Sequence, residues 1–201
     1  MIALRIGVIV ALSFVYTTIA AGQTIPQRAA LADGDLHMGG QTDGPNVTLA
    51  ELVTSSDLIV RGVTGQGRSS LSQDEMSIYT EFPIRVAEVI YARQPRQSPT
   101  PSLSSPIVVR QVGGDIELAG KHAVLRDFTL PQIPAGTSGI FLLHQNDDGS
   151  YALAGDYFGA FELRGSQARP MATTRVDKIK EVASTEDSLL SAIRALIAQS
   201  R

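Results

Sequence analysis

The side chains able to move protons or hold a metal are few and scattered. The sequence has three histidines, His37, His122 and His144, and no cysteine. His37 closes the run Asp33-Gly34-Asp35-Leu36-His37, whose alternating carboxylates and imidazole are oxygen and nitrogen donors of the kind a divalent cation takes. The run has neither the spacing of a calcium-binding loop nor its closing glutamate. It reads as a solvated Gly/Asp segment, and no metal or cofactor is expected. His122 and His144 fall at or beside strand ends, where either would need a serine, Asp127 or Asp156 within reach to serve as a general base. Neither a Gly-x-Ser-x-Gly elbow nor a His-Glu-x-x-His motif occurs, so the many serines have no evident activating partner.

The glycine-rich stretches resemble phosphate loops only at first sight. Five residues separate Gly114 from Gly120 where the loop needs four, and His122 stands where a magnesium-binding Ser or Thr belongs. Gly65-Gln66-Gly67 lacks a third glycine at Ser70 and reads as a turn. Asp147 and Asp148 are explained by turn chemistry, although with Asp156 they could gather round a cation. Asn46-Val47-Thr48 is a glycosylation sequon, but Thr48 is better placed as a helix cap. The turn Gly113-Gly114-Asp115 is the first expected binding surface.

Composition narrows the classes that these residues can serve. The chain has 201 residues, 43% of them hydrophobic and 18% charged, with a formal net charge of −3. That is enough apolar material for a core, and it offers no basic excess to neutralise a nucleic-acid backbone. Aromatic residues make up 5% and tryptophan is absent, so extended stacking platforms are not expected. Without cysteine there are no disulfides, thiolate zinc sites or cysteine nucleophiles. A cysteine-free exported domain is more typical of bacteria than of animals, whose small secreted domains lean on disulfides.

Export is expected from the first twenty residues. Arg5 gives a charged start, residues 6–20 are apolar, and Thr18-Ile19-Ala20 puts small residues at the −3 and −1 positions of a cleavage after Ala20. The apolar run is short for a transmembrane helix, and no later segment is long and apolar enough to span a bilayer. The organisation read from the chain is a signal peptide over 1–20 and a flexible lead-in over 21–46. A β-domain over 47–165, carrying a Pro-rich loop at 94–106, and a C-terminal linker and helix over 166–201 complete it. A periplasmic or secreted location follows from this reading.

The elements follow from hydrophobic period. Thr48 with Glu51 forms a capping box before a short helix. Residues 58–63 form an apolar strand, and residues 65–72 a Gly/Ser loop. Residues 77–91 carry the clearest period of two, with Ile78, Thr80, Phe82, Ile84, Val86 and Ile90 on one face and Ser77, Tyr79, Glu81, Arg85 and Tyr91 on the other. Pro83 implies a bulge, bend or edge position there. Further strands are expected at 107–112, 121–125, 140–144, 151–154 and 157–163. Those at 140–144 and 151–154 are joined through the Asp148-Gly149 turn. Ser184 with Asp187 reads as a second capping box before an amphipathic helix that carries Leu189, Leu190, Ile193, Leu196 and Ile197.

Helix, five or six short strands and helix is the pattern of a small barrel or sandwich. The runs Ser56-Asp57-Leu58-Ile59-Val60-Arg61-Gly62, Val89-Ile90-Tyr91, Ile107-Val108-Val109-Arg110, Gly139-Ile140-Phe141-Leu142-Leu143-His144 and Tyr151-Ala152-Leu153-Ala154-Gly155 appear in that order. Over residues 48–163 this resembles the netrin-like OB-fold module of tissue inhibitors of metalloproteinases, and also small exported bacterial proteins. The resemblance implies an OB-like five- or six-stranded barrel. It does not carry over protease inhibition, because the zinc-chelating N-terminal cysteine and the disulfides of those inhibitors have no counterpart here. The expected role is a non-catalytic binding module with a protein or peptide partner and no nucleic acid. The alternatives are a small hydrolase using His122 or His144, and an envelope-associated structural protein.

Overall fold

The computed structural model describes residues 22–40, 47–93, 105–127, 132–155, 158–172 and 184–199. The expected signal peptide, the 94–104 stretch of the Pro-rich loop and Asp156 lie outside the described residues. The elements, in chain order, begin with α1 (Ile25–Leu31), β1 (Leu36–Gly40), α2 (Leu49–Ser55), β2 (Leu58–Thr64), β3 (Arg68–Leu71) and β4 (Ile78–Ala92). They continue with β5 (Ile107–Val112), β6 (Gly114–Leu118), β7 (Lys121–Asp127), β8 (Ser138–Gln145) and β9 (Tyr151–Leu153). Strands β10 (Ala160–Arg164) and β11 (Gln167–Pro170) precede the helix α3 (Glu186–Gln199).

Five strands close a barrel in the order β2-β4-β5-β9-β8 and back to β2. All pairs are antiparallel except β5 with β9, which run parallel through the pair Val109–Tyr151. Antiparallel neighbours with one parallel closure between the third and fifth barrel strands give the OB connectivity. The first half of β8 is paired on its other edge by β10, and β11 extends that flank.

Strand β4 holds the barrel together because it is long and strictly alternating. Thr80, Phe82, Ile84 and Val86 point inward and are buried, and Ile78 on the same face is buried in a second cluster with Ile25 of α1 and Ala123 of β7. The alternation then breaks, since the ladder with β2 skips Ile90 and Ala87. These two bulges bend the strand round the barrel. Pro83 instead sits one residue beyond the last β2–β4 pair, Thr64–Ile84, where its carbonyl accepts the Gly65 N–H. Its missing N–H falls at the ladder's end, the edge position that proline requires.

Strand β8 is buried on both faces, from Ile140 through Leu143, because α2 lies against it and α3 against α2. The C-terminal segment is therefore part of the barrel's own core. Ala168, Leu189, Leu190, Ile193 and Ile197 share one apolar cluster with Phe82, Phe141 and Phe161. Among the described residues no helix is long and apolar enough to cross a membrane.

Three local expectations are corrected. The segment 21–46 holds α1 and β1 rather than an irregular lead-in over its described part. Helix α1 buries Ile25 and Ala29, and the Lys121 ammonium donates to the Ala29 and Ala32 carbonyls at its end. Seven residues are too few for a visible period, and β1 is ordered by parallel pairing to β7, far along the chain. Residues 68–71 form β3 instead of a loop, paired to the start of β4 through Arg-Ser-Ser-Leu, a run with little apolar signal. The cap of α3 is Thr185 rather than Ser184: its hydroxyl accepts the Ser188 N–H at 3.2 Å, and its own N–H donates to the Ser188 hydroxyl at 3.1 Å. The Thr48–Glu51 box of α2 is formed as expected, with Glu51 N–H to Thr48 Oγ1 at 3.2 Å and Thr48 N–H to Glu51 Oε2 at 2.7 Å.

Candidate functional site

The inward alternation of β4 leaves Tyr79, Glu81 and Pro83 on the outer face. Register sets them opposite Val112, Arg110 and Val108 of β5. Two turns rise beside this patch. One is the β3–β4 connection at 72–77, braced by Ser72 N–H to Ser77 O at 2.9 Å and by Asp74, whose carboxylate accepts the Ser72 hydroxyl at 2.6 Å and the Met76 N–H at 3.1 Å. The other is the β8–β9 turn, closed by Asn146 N–H to Ser150 O at 2.8 Å with Gly149 at φ 83°.

Arg110 lies between the turns. Its Nε and Nη2 donate to Glu81 Oε1 at 3.0 and 2.7 Å, and its Nη1 donates to Asp148 Oδ2 at 2.8 Å. The guanidinium sits over the Tyr79 ring, 5.8 Å from its centroid. Bonding to Glu81 raises the Arg110 pKa further, so this charge is permanent. Asp148 is held down to about 2, first by the hydroxyl and N–H of Ser150 and then by Arg110.

Two cavities open on either side of the Tyr79–Arg110 ridge and share both residues. The larger, about 760 Å³, runs between the 72–77 turn and Asp148 and includes Ser70, Leu71 and Glu81. The smaller, about 300 Å³, lies over Gln111, Val112, Asn146 and Leu153. Both volumes fall in the range of small-ligand pockets. On an OB barrel, the face of the second and third strands between these two loops is where ligands bind.

The Gly113-Gly114-Asp115 turn follows directly on Val112, at the edge of the smaller cavity, and its glycines have a packing reason. Gly113 at φ 104° and Gly114 at φ 154° turn the chain sharply from β5 into β6. The Thr80 hydroxyl donates to Gly113 O at 2.7 Å, contacts Ser69 Oγ at 2.9 Å and accepts from Gln132 Nε2 at 2.8 Å. A Cβ on Gly114 would lie 2.5 Å from Ser69 Oγ and 2.7 Å from Thr80 Oγ1. Asp115 turns outward to the His122 imidazole, Nδ1 to Oδ1 at 2.9 Å.

The histidines find carboxylates other than those read from the sequence. His122 pairs with Asp115, and its N–H donates to Asp35 Oδ1 at 2.9 Å. The bond to Asp115 raises the His122 pKa. His144 Nδ1 lies 2.9 Å from Asp57 Oδ2, which also accepts the Gln145 N–H at 3.0 Å. More than half of each imidazole side chain is exposed, and neither histidine lines either cavity. His37 is exposed on β1. No group of three His, Cys, Asp or Glu residues that could hold a metal occurs among the described residues. Asp127 lies at the end of β7, outside the described side chains.

Sequence reasoning missed Arg110 and Asp148 as partners. The signal for Tyr79 and Glu81 was present, because the period of two already set them on the outer face of the longest strand. No protein-family model matches the chain, and a search of curated proteins finds no match to it.

Proposed function

We propose that this chain is an exported, non-catalytic binding module whose ligand occupies the groove over Tyr79 and Arg110. One observation carries the reading. A concave surface of about 760 Å³ falls where β4 and β5 meet the 72–77 and 146–150 turns, with Arg110 fixed between Glu81 and Asp148. A rigid, partly polar groove built on paired strands is preorganised for recognition. The non-catalytic part is supported by the histidines, which pair with aspartates on open surface rather than in a cleft. Export is supported by the charged start, apolar run and Thr18-Ile19-Ala20 exit of the N-terminus.

The test is a fragment screen on the full chain, read by backbone amide shifts. Hits should cluster at Tyr79, Arg110 and Asn146. Hits that gather at His122 or His144, with hydrolysis of an ester or peptide panel lost on changing that histidine, would instead establish the hydrolase. Export is tested by N-terminal sequencing of the protein recovered from the extracytoplasmic fraction, which should begin at Ala21.

A further inference from the structure

The larger cavity has one wall whose support lies outside the barrel. Six of its ten lining residues belong to the end of β3 and the 72–77 turn, and none of the described residues 22–40 lines it. Segment 22–40 nevertheless reaches that turn from behind. The Ile25 N–H donates to the Glu75 carbonyl at 2.8 Å. The Ile25 side chain, 1% exposed, is clustered with Ile78 and Ala123, and Leu71 packs against them. Leu71 and Ile78 form the last pair of the β3–β4 ladder, so both flanks of the turn share a cluster with α1. Glu75 itself stands at φ 57°, a left-handed conformation that a residue with a side chain keeps only where its surroundings impose it.

Segment 22–40 has little stability of its own. Helix α1 has seven residues, short of the roughly 12–15 that an isolated helix needs, and β1 has five. Both are held by attachments to the β6–β7 hairpin. Strand β1 pairs with β7 from Leu36–Ala123 to Gly40–Asp127, the Lys121 ammonium donates to the Ala29 and Ala32 carbonyls at 3.2 and 2.7 Å, and Asp35 accepts the His122 N–H at 2.9 Å. The cluster beneath them is separate from the barrel core that holds Phe82, Phe141 and Phe161. A unit seated on a small cluster of its own opens at less cost than the whole fold. We propose that residues 22–40 are a strap that regulates the groove. Docked, the strap holds the 72–77 wall in place; released, it frees that wall while the barrel stays folded. Strap docking and groove occupancy are then coupled, each favouring the other. The coupling rests on the groove being the binding site and adds how that site is controlled.

Native-state hydrogen exchange of the full chain, resolved by NMR, tests it. The Ala32 N–H bonds Arg28 O in the strap, the Ser72 N–H bonds Ser77 O in the wall, and the Leu142 N–H bonds Gly159 O in the barrel. In the wild type Ala32 should exchange faster than Leu142, the mark of local release, and equal rates overturn the proposal. Ile25→Asp puts a carboxylate into the apolar cluster and should drive the strap off. Protection should then be lost at Ala32 and Ser72 together and kept at Leu142. Loss at Ala32 with Ser72 still protected would show that the wall stands without the strap. Loss at all three would show that the strap is not separable from the barrel, and retention at Ala32 that the cluster does not hold it; each overturns the proposal. Coupling to the groove is read with the fragment that most shifts the Tyr79 and Arg110 amides in the screen. At ten times its dissociation constant, wild-type exchange at Ala32 should slow about tenfold, and Ile25→Asp should bind that fragment at least about fivefold more weakly. An unchanged Ala32 rate or an equal affinity refutes the regulation. If no fragment shifts Tyr79 and Arg110, the groove reading falls and the regulation with it, whereas the response of Ser72 to Ile25→Asp still decides whether the strap holds the wall.

Discussion

Gly114→Ala tests whether the corner between β5 and β6 is as tightly packed as its geometry implies. The added Cβ would stand 2.5 Å from Ser69 Oγ, 2.7 Å from Thr80 Oγ1 and 2.8 Å from Ser69 Cβ. Overpacking of this kind costs about 1–3 kcal/mol. The backbone sits at φ 154°, a conformation that side-chain-bearing residues rarely adopt, which adds about 1 kcal/mol or more. A total near 3 kcal/mol corresponds to a fall of roughly 6–12 °C in melting temperature for a domain of this size. Neighbouring groups cannot relax cheaply, because the Thr80 hydroxyl is tied to Gly113 O, Ser69 and Gln132 at once. Urea and thermal denaturation of the full chain would measure the loss. In a Ser69→Gly background the obstacle is smaller, and the same substitution should cost about 1 kcal/mol less. An unchanged melting temperature would refute the close approach of β6 to β3 and β4. An identical cost in both backgrounds would show that Ser69 is not the obstacle.

Other predictions concern charge and capping. The Asp148 carboxyl is lowered from 3.8 to about 2, so its contribution is present above pH 3.8 and lost as pH falls through about 2; the stability gap between wild type and Asp148→Asn, measured by denaturation, should close across that window. His122 has its pKa raised above 6.5 by Asp115, so its contribution is full below pH 6.5 and fades as pH rises through the folded value. A ring-proton NMR titration should place that value above 6.5, and the gap to His122→Gln should vanish at high pH. Thr185→Ala should cost about 1 kcal/mol by urea denaturation whereas Ser184→Ala should be nearly neutral, because Thr185 carries the cap hydrogen bond of α3.

The parts of this fold that were legible in the sequence are those whose signal is local. The Thr48–Glu51 box opens α2 because its two hydrogen bonds span only three residues. The alternation of residues 78–86 predicts which side chains of β4 are buried, since a pleated strand turns successive residues to opposite faces. The Asp148-Gly149 turn predicts the β8–β9 hairpin. Where the local signal was thin the reading failed. Arg68-Ser69-Ser70-Leu71 becomes a strand because β4 supplies a partner edge, and Leu36–Gly40 because β7 does. The Gly113-Gly114 pair stood out in the sequence, but its packing reason, two hydroxyls of distant strands, became visible only in the assembled corner.

The amino-acid order alone sufficed for the inward face of β4, for helices α2 and α3 and for the lack of any disulfide framework. Local sterics, capping and hydrophobic period are sufficient for these. Tertiary structure decided that β5 meets β9 in parallel and closes the barrel, and that β10 shares an edge of β8 with β9. It also brought Glu81, Arg110 and Asp148 together across intervals of 29 and 38 residues. Such pairings are set by strand register and loop closure, in which each contact gains its energy only once the others have formed. The groove is a property of that register, and no stretch of the chain contains it on its own.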